Sequence, residues 1–291
     1  MKKVLFATTA LIATAGVASA DIALTGGANM GIKDNATVSG VHTEIDFNIV
    51  ASGVSDNGIS FGASMDIDGD TTPATSGMTF GENASDTEVY ISGDFGTITV
   101  GDVGVATDIS ISDVGFDGIG ADNLSASDVT MTAALTADIR WTYSMNGVSL
   151  DVAYDSVNDD TSATVGFEAA GFGVTIGYGE DANTSDTVTV GKVTYTAGDL
   201  SLQAMVSNYD DASANNTDTS GAGIYAAYAL TPELSITAAA SQNDEGSAAA
   251  DTDSQGVGFT YNMGGGLTLA GGVGENSSNQ SVFDLGFNMS F

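Results

Sequence analysis

The sequence contains no cysteine, so neither disulfides nor thiolate metal sites hold it together. Its stability must come from elsewhere, such as a closed network of backbone hydrogen bonds. Basic side chains are almost as scarce, five against 38 acids, for a formal charge of −33. Two of the five are Lys2 and Lys3. Without them only Lys33, Arg140 and Lys192 remain, and the charge becomes −35. Such a chain repels nucleic acid and offers no polybasic patch to a membrane surface. Proline occurs twice, and after residue 20 no apolar stretch approaches the roughly 18 residues that a membrane helix needs. That excludes spanning helices only, because alternating strands also cross membranes. High acidity alone would suggest disorder, but 42% hydrophobic residues and a mean hydropathy of +0.12 argue against it.

What is present begins with a three-part secretory pattern. Met1-Lys2-Lys3 is basic, Val4 to Val17 is mostly apolar, and Ala18-Ser19-Ala20 is a small-x-small cleavage site. Residues 1–20 are therefore expected to be a removable signal peptide, leaving a mature domain over 21–291.

In the mature chain apolar residues recur at every second position, the period of a strand. Val41, Thr43, Ile45, Phe47 and Ile49 alternate with His42, Glu44, Asp46 and Asn48. Ile59, Phe61, Ala63, Met65 and Ile67 alternate with Ser60, Gly62, Ser64, Asp66 and Asp68. Short turns recur around Asn57-Gly58, Asp94-Phe95-Gly96, Asn146-Gly147, Gly171-Phe172-Gly173, Ala197-Gly198-Asp199, Thr231-Pro232-Glu233 and Gly264-Gly265-Gly266. Longer polar stretches lie near 33–40, 68–86, 102–137, 155–161, 179–187, 208–220, 241–254 and 274–281. Seven short turns and eight long loops connect 16 strands with both termini at the short-turn side. That is the asymmetry of a transmembrane antiparallel β-barrel. Tyr143, Tyr154, Tyr178, Tyr195, Tyr209 and Tyr261 fall near strand ends, where interfacial girdles sit. The last strand alternates Phe283, Leu285, Phe287, Met289 and Phe291 with polar or small residues. It ends on an aromatic, like the assembly signal of outer-membrane barrels.

The segment Ser92-Gly93-Asp94-Phe95-Gly96-Thr97-Ile98-Thr99-Val100-Gly101-Asp102, followed by a long acidic stretch, resembles the third-loop entry of alphaproteobacterial general porins. Asp21 to Gly31, Tyr143-Ser144, Gly264 to Gly271 and Asp284 to Phe291 resemble other strands of that family. The resemblance implies a 16-stranded barrel whose third loop folds into the pore, here over 102–137. It also implies a homotrimer in outer-membrane lipid and lipopolysaccharide, passing small hydrophilic solutes without catalysis. One departure stands out: such porins set several arginines opposite an acidic third loop, whereas Arg140 is the only arginine here.

The expected constriction and selectivity residues are Asp108, Asp113, Asp117, Asp122 and Asp128 on the loop and Glu44, Asp46, Asp66, Glu88 and Arg140 on the wall. With so few opposing cations, cation selectivity is expected. Arg140 has two readings, an eyelet residue or a local partner of Asp138 on the same face, and Lys33 is expected in the first loop. Small outward residues Gly26, Ala28, Ala51 and Ala63 would permit wall-to-wall packing. No cofactor is required. Asp66-Ile67-Asp68-Gly69-Asp70 resembles half of a calcium loop without the distal Glu, so Ca2+ at acidic sites stays an open expectation. His42, the single histidine, has no serine-centred triad in reach and reads as a wall residue, and one histidine without cysteine argues against zinc. The competing reading is a secreted acidic β protein of surface-layer or adhesin type.

Overall fold

The computed structural model describes residues 21–37, 39–71, 79–80, 87–119, 135–213, 218–244, 246 and 251–291. The expected signal peptide, Asp122 and Asp128 lie outside them. Sixteen antiparallel strands close on themselves. They begin with β1 (Asp21–Asp34), β2 (Ser39–Val54) and β3 (Ser60–Thr71). Strand β4 is in two pieces, Thr79–Phe80 and Thr87–Gly93, both paired with β3. Then follow β5 (Gly96–Gly101), β6 (Ile139–Met145), β7 (Val148–Tyr154), β8 (Thr161–Ala169), β9 (Phe172–Glu180) and β10 (Thr187–Ala197). The circuit ends with β11 (Leu200–Asp210), β12 (Thr219–Ala229), β13 (Leu234–Asp244), β14 (Thr252–Gly264), β15 (Leu267–Glu275) and β16 (Ser281–Ser290).

Closure is made by β1, which pairs with β2 on one side and β16 on the other. Gly26 and Phe291 exchange backbone hydrogen bonds of 2.9 and 3.0 Å across the seam. Among the described strands no edge is left to template aggregation. Seven tight turns join the strands at one end. Asn146 and Gly147 there both have positive φ, 54° and 81°, which a two-residue hairpin requires. Most of the loops at the other end are longer. Several strands also run further into these loops than the polarity pattern indicates.

The two faces sort by the period of two. Apolar side chains such as Val41 (65% exposed), Val89 and Ile224 point outward, as lipid contact demands. Glycine, serine, threonine and the acids point inward. Tyr209 is an exception to the expected girdle. It faces the interior, is buried, and donates to the Asp186 carboxylate at 2.7 Å, because the odd-numbered positions of β11 are its inner ones. Gly26 is also no open patch, since a Cβ there would stand 2.8 Å from the ring of Phe47 and 3.2 Å from that of Phe291.

Candidate functional site

The interior is shaped by the stretch 103–119, which leaves β5 and lies along the inner wall from β8 round to β2. The backbone N–H of Ala106 donates to Ser162 Oγ on β8 at 2.8 Å. Ile111 then packs on Val188 and Val190 of β10 and Met205 of β11. The amide of Ser112 donates to Gln203 on β11 at 3.0 Å, and Gln203 returns a bond to its hydroxyl at 2.9 Å. Further on, Val114 and Ile119 pack with Ala239 of β13 and Val282 of β16. Burying such side chains stabilises the docked loop by about 1.5–3 kcal/mol each.

Much of the wall beneath residues 114–119 is glycine. Gly256 and Gly258 on β14, Gly272 and Gly274 on β15, Gly286 on β16 and Gly31 on β1 all face inward. A Cβ on Gly256 would lie 1.9 Å from Ile119 Cδ1, one on Gly272 would lie 2.8 Å from Gly115 Cα, and one on Gly286 would lie 2.5 Å from the Phe116 ring. These positions make a track that lets the loop backbone touch the wall. Asp284, 3% exposed, fastens it by accepting the N–H groups of Phe116 and Asp117 on one oxygen, each at 2.9 Å.

Among the described residues, the basic side chains are all engaged. Lys33 Nζ donates to Asp117 Oδ2 at 2.6 Å. It does so from the inner face of β1, so Lys33 does not sit in the first loop; the strand simply continues through it. Arg140 grips Asp151 of β7 through Nε at 2.9 and 3.1 Å and Nη2 at 2.5 Å. Its partner is therefore this diagonal neighbour on the adjacent strand. The expected local pair with Asp138 is not formed, because Asp138 precedes β6 and takes the amide of Ser156 at 2.9 Å. Arg140 also lies in the field of Glu88 and Asp108. Lys192 of β10 turns to the carbonyl of Ser110 at 2.5 Å.

Of the expected acids, Glu44 and Asp46 stand on the inner face of β2, Asp66 on β3 and Glu88 on β4. Glu44 is held by Asn29 Nδ2 at 2.6 Å. Asp113 and Asp117 lie on the docked loop, and Asp113 caps the amide of Val114 at 2.6 Å. Structure also adds what sequence reasoning missed: Asp284, Gln203 and the glycine track. The alternate inward glycines of β14 and β15 were the readable signal for the last. In the half-calcium motif, the side chains of residues 68–70 lie outside the description.

The family model described as Gram-negative porin matches residues 7–281. Solved structures of the same shape include a mutant of Rh. blastica porin with two introduced tryptophans. It has a TM-score of 0.73 and 21% identity over 93% of this chain and 100% of that one. A Rhodopseudomonas blastica porin triple mutant and a structure titled "Asymmetric conductivity of engineered proteins" each give a TM-score of 0.72, with the same identity and coverage. No curated protein sequence matches the chain.

Proposed function

Since this chain belongs to the Gram-negative porin family, an outer-membrane barrel family of channels, we propose that it is a cation-selective pore for passive diffusion of ions and small hydrophilic solutes, with no catalytic role. One observation carries the selectivity. Two of the three basic side chains of the mature chain are matched to carboxylates, Lys33 to Asp117 and Arg140 to Asp151, while the third faces a carbonyl. The inward acids Glu44, Asp46, Asp66, Glu88, Asp108 and Asp113 therefore outnumber the cations. Fixed charge of one sign in a water-filled channel through lipid enriches counter-ions. Screening at about 0.15 M salt extends near 8 Å, so the preference persists at physiological salt and fades near 1 M.

The wider reading follows the family. Residues 1–20 act as the export signal, Asp122 and Asp128 add to the loop charge, and Ala28, Ala51 and Ala63 support packing into a homotrimer in a lipopolysaccharide-containing membrane. The surface-layer reading is disfavoured by a wall whose outer face carries a broad band of exposed apolar side chains. Planar-bilayer recording in a tenfold KCl gradient tests the proposal. A reversal potential on the potassium side is expected, and one favouring chloride refutes the charge argument.

A further inference from the structure

On the inner face of β2, His42 and Glu44 are two residues apart, so their side chains stand side by side above the same wall. The docked loop sets Asp117 against them. One donor atom from each residue lies within 4.8 Å of the others, and His42 Nε2 is 3.5 Å from Asp117 Oδ1. Ligands bound to a tetrahedral zinc ion at about 2.0–2.1 Å sit roughly 3.3 Å from each other, so this pair is already at coordination spacing. Lys33 occupies the other oxygen of Asp117. Asn29 steadies Glu44 from β1, acting as an outer-shell orienting group.

Two further features fit a ligand site. His42 is 7% exposed, and its ring is held edge-on to Phe116, 5.9 Å between centroids at 78°. The carbonyl oxygen of Asn29, the amide that holds Glu44, is buried and finds no hydrogen-bond partner among the described residues. Counting histidines and cysteines argued against zinc; the fold supplies two carboxylates that the count could not place.

We propose that His42, Glu44 and Asp117 form a three-ligand site for a borderline first-row divalent cation such as Zn2+, completed by pore water, whose occupancy ties the inserted loop to β2. One imidazole and two carboxylates suit such an ion better than Ca2+ or Mg2+, which need oxygen donors alone. The neighbouring Lys33 charge weakens binding.

The test is calorimetric titration of the refolded barrel in detergent with Zn2+, beside His42→Gln and Glu44→Gln, each first shown to fold by heat-modifiable gel migration. One saturable Zn2+ site is expected, weakened at least tenfold in both variants. Ca2+ uptake by the many other acids should be unchanged in His42→Gln. Hydrogen exchange at the amides of Phe116 and Asp117 should slow with Zn2+ in the parent only. Equal Zn2+ affinity in parent and His42→Gln would overturn the site, and unaltered exchange would overturn the tie. Neither measurement depends on conduction, so failure of the channel reading would show separately.

Discussion

The backbone N–H of Phe116 reaches the carboxylate of Asp284 at 2.9 Å across 168 positions of chain. With the same oxygen taking the N–H of Asp117, a single buried side chain of the last strand, β16, fixes where the far part of the loop lies against the wall. Hydrogen bonds to a charged acceptor contribute about 1.5–3 kcal/mol each.

Replacing Asp284 by Ala should therefore weaken loop docking by about 2–4 kcal/mol, with Asp284→Asn losing less. Single-channel conductance should rise and become noisier in the alanine variant while the barrel still migrates compactly. Conductance indistinguishable from the parent would mean that the apolar contacts alone hold the loop.

The glycine track makes a second prediction. Gly256→Val places methyl groups where Ile119 now lies, and such overpacking costs roughly 1–3 kcal/mol. The loop should lift from β14, again altering conductance. Adding Ile119→Ala removes the obstructing side chain and should restore most of the parent behaviour. A double variant no better than the single one would place the damage in the strand itself.

Arg140→Gln leaves Asp151 without its cation. Both partners are partly open to water, so the stability cost should be close to about 1 kcal/mol rather than the several expected of a fully buried pair. The inward charge becomes one unit more negative, and the reversal potential should move further toward potassium, most visibly at low salt. A shift toward chloride would show that Arg140 does not face the permeation path.

The long-loop rim should respond to acid. The Thr136 hydroxyl and the backbone N–H of Asn158 hold the Asp155 carboxyl below its usual range, and Asp155 also takes the amide of Val157 at 2.8 Å. A carboxylate lowered in the folded state contributes stability above its unfolded pKa. That contribution is lost as the pH falls through the folded value. Amide exchange at Val157 and Asn158, corrected for intrinsic rates, should stay slow at pH 6 and quicken below about pH 4. Protection that persists at pH 2 would contradict this.

Much of this is legible in the sequence. A period of two assigns a face to each residue, so the strand count and the outward set from Ile22 to Phe287 follow from patterning and turn chemistry. The same logic failed where polarity was read as loop. Lys33-Asp34 looks like the start of a turn, yet an inward position of a pore tolerates lysine, and β1 runs through both. Tyr209 lies near a strand end, as girdle residues do, but its parity puts it inside. The pairing of Arg140 with Asp151 depends on cross-strand register, and that of His42 with Asp117 on how a non-periodic loop docks. Neither quantity is written in local spacing.

The bare glycine strip also separates scaffold from calibre. Strands β14 to β16 supply a glycine-rich bed, and among the described residues the bulk laid upon it comes from one contiguous stretch, residues 114–119. Much of the bore is thus encoded apart from the hydrogen-bonded cylinder, while the strands keep the wall charges. Exchanging that stretch for another of similar footprint would regauge the conduit as a sleeve regauges a pipe, leaving the sixteen staves and their lipid-facing surface as they are.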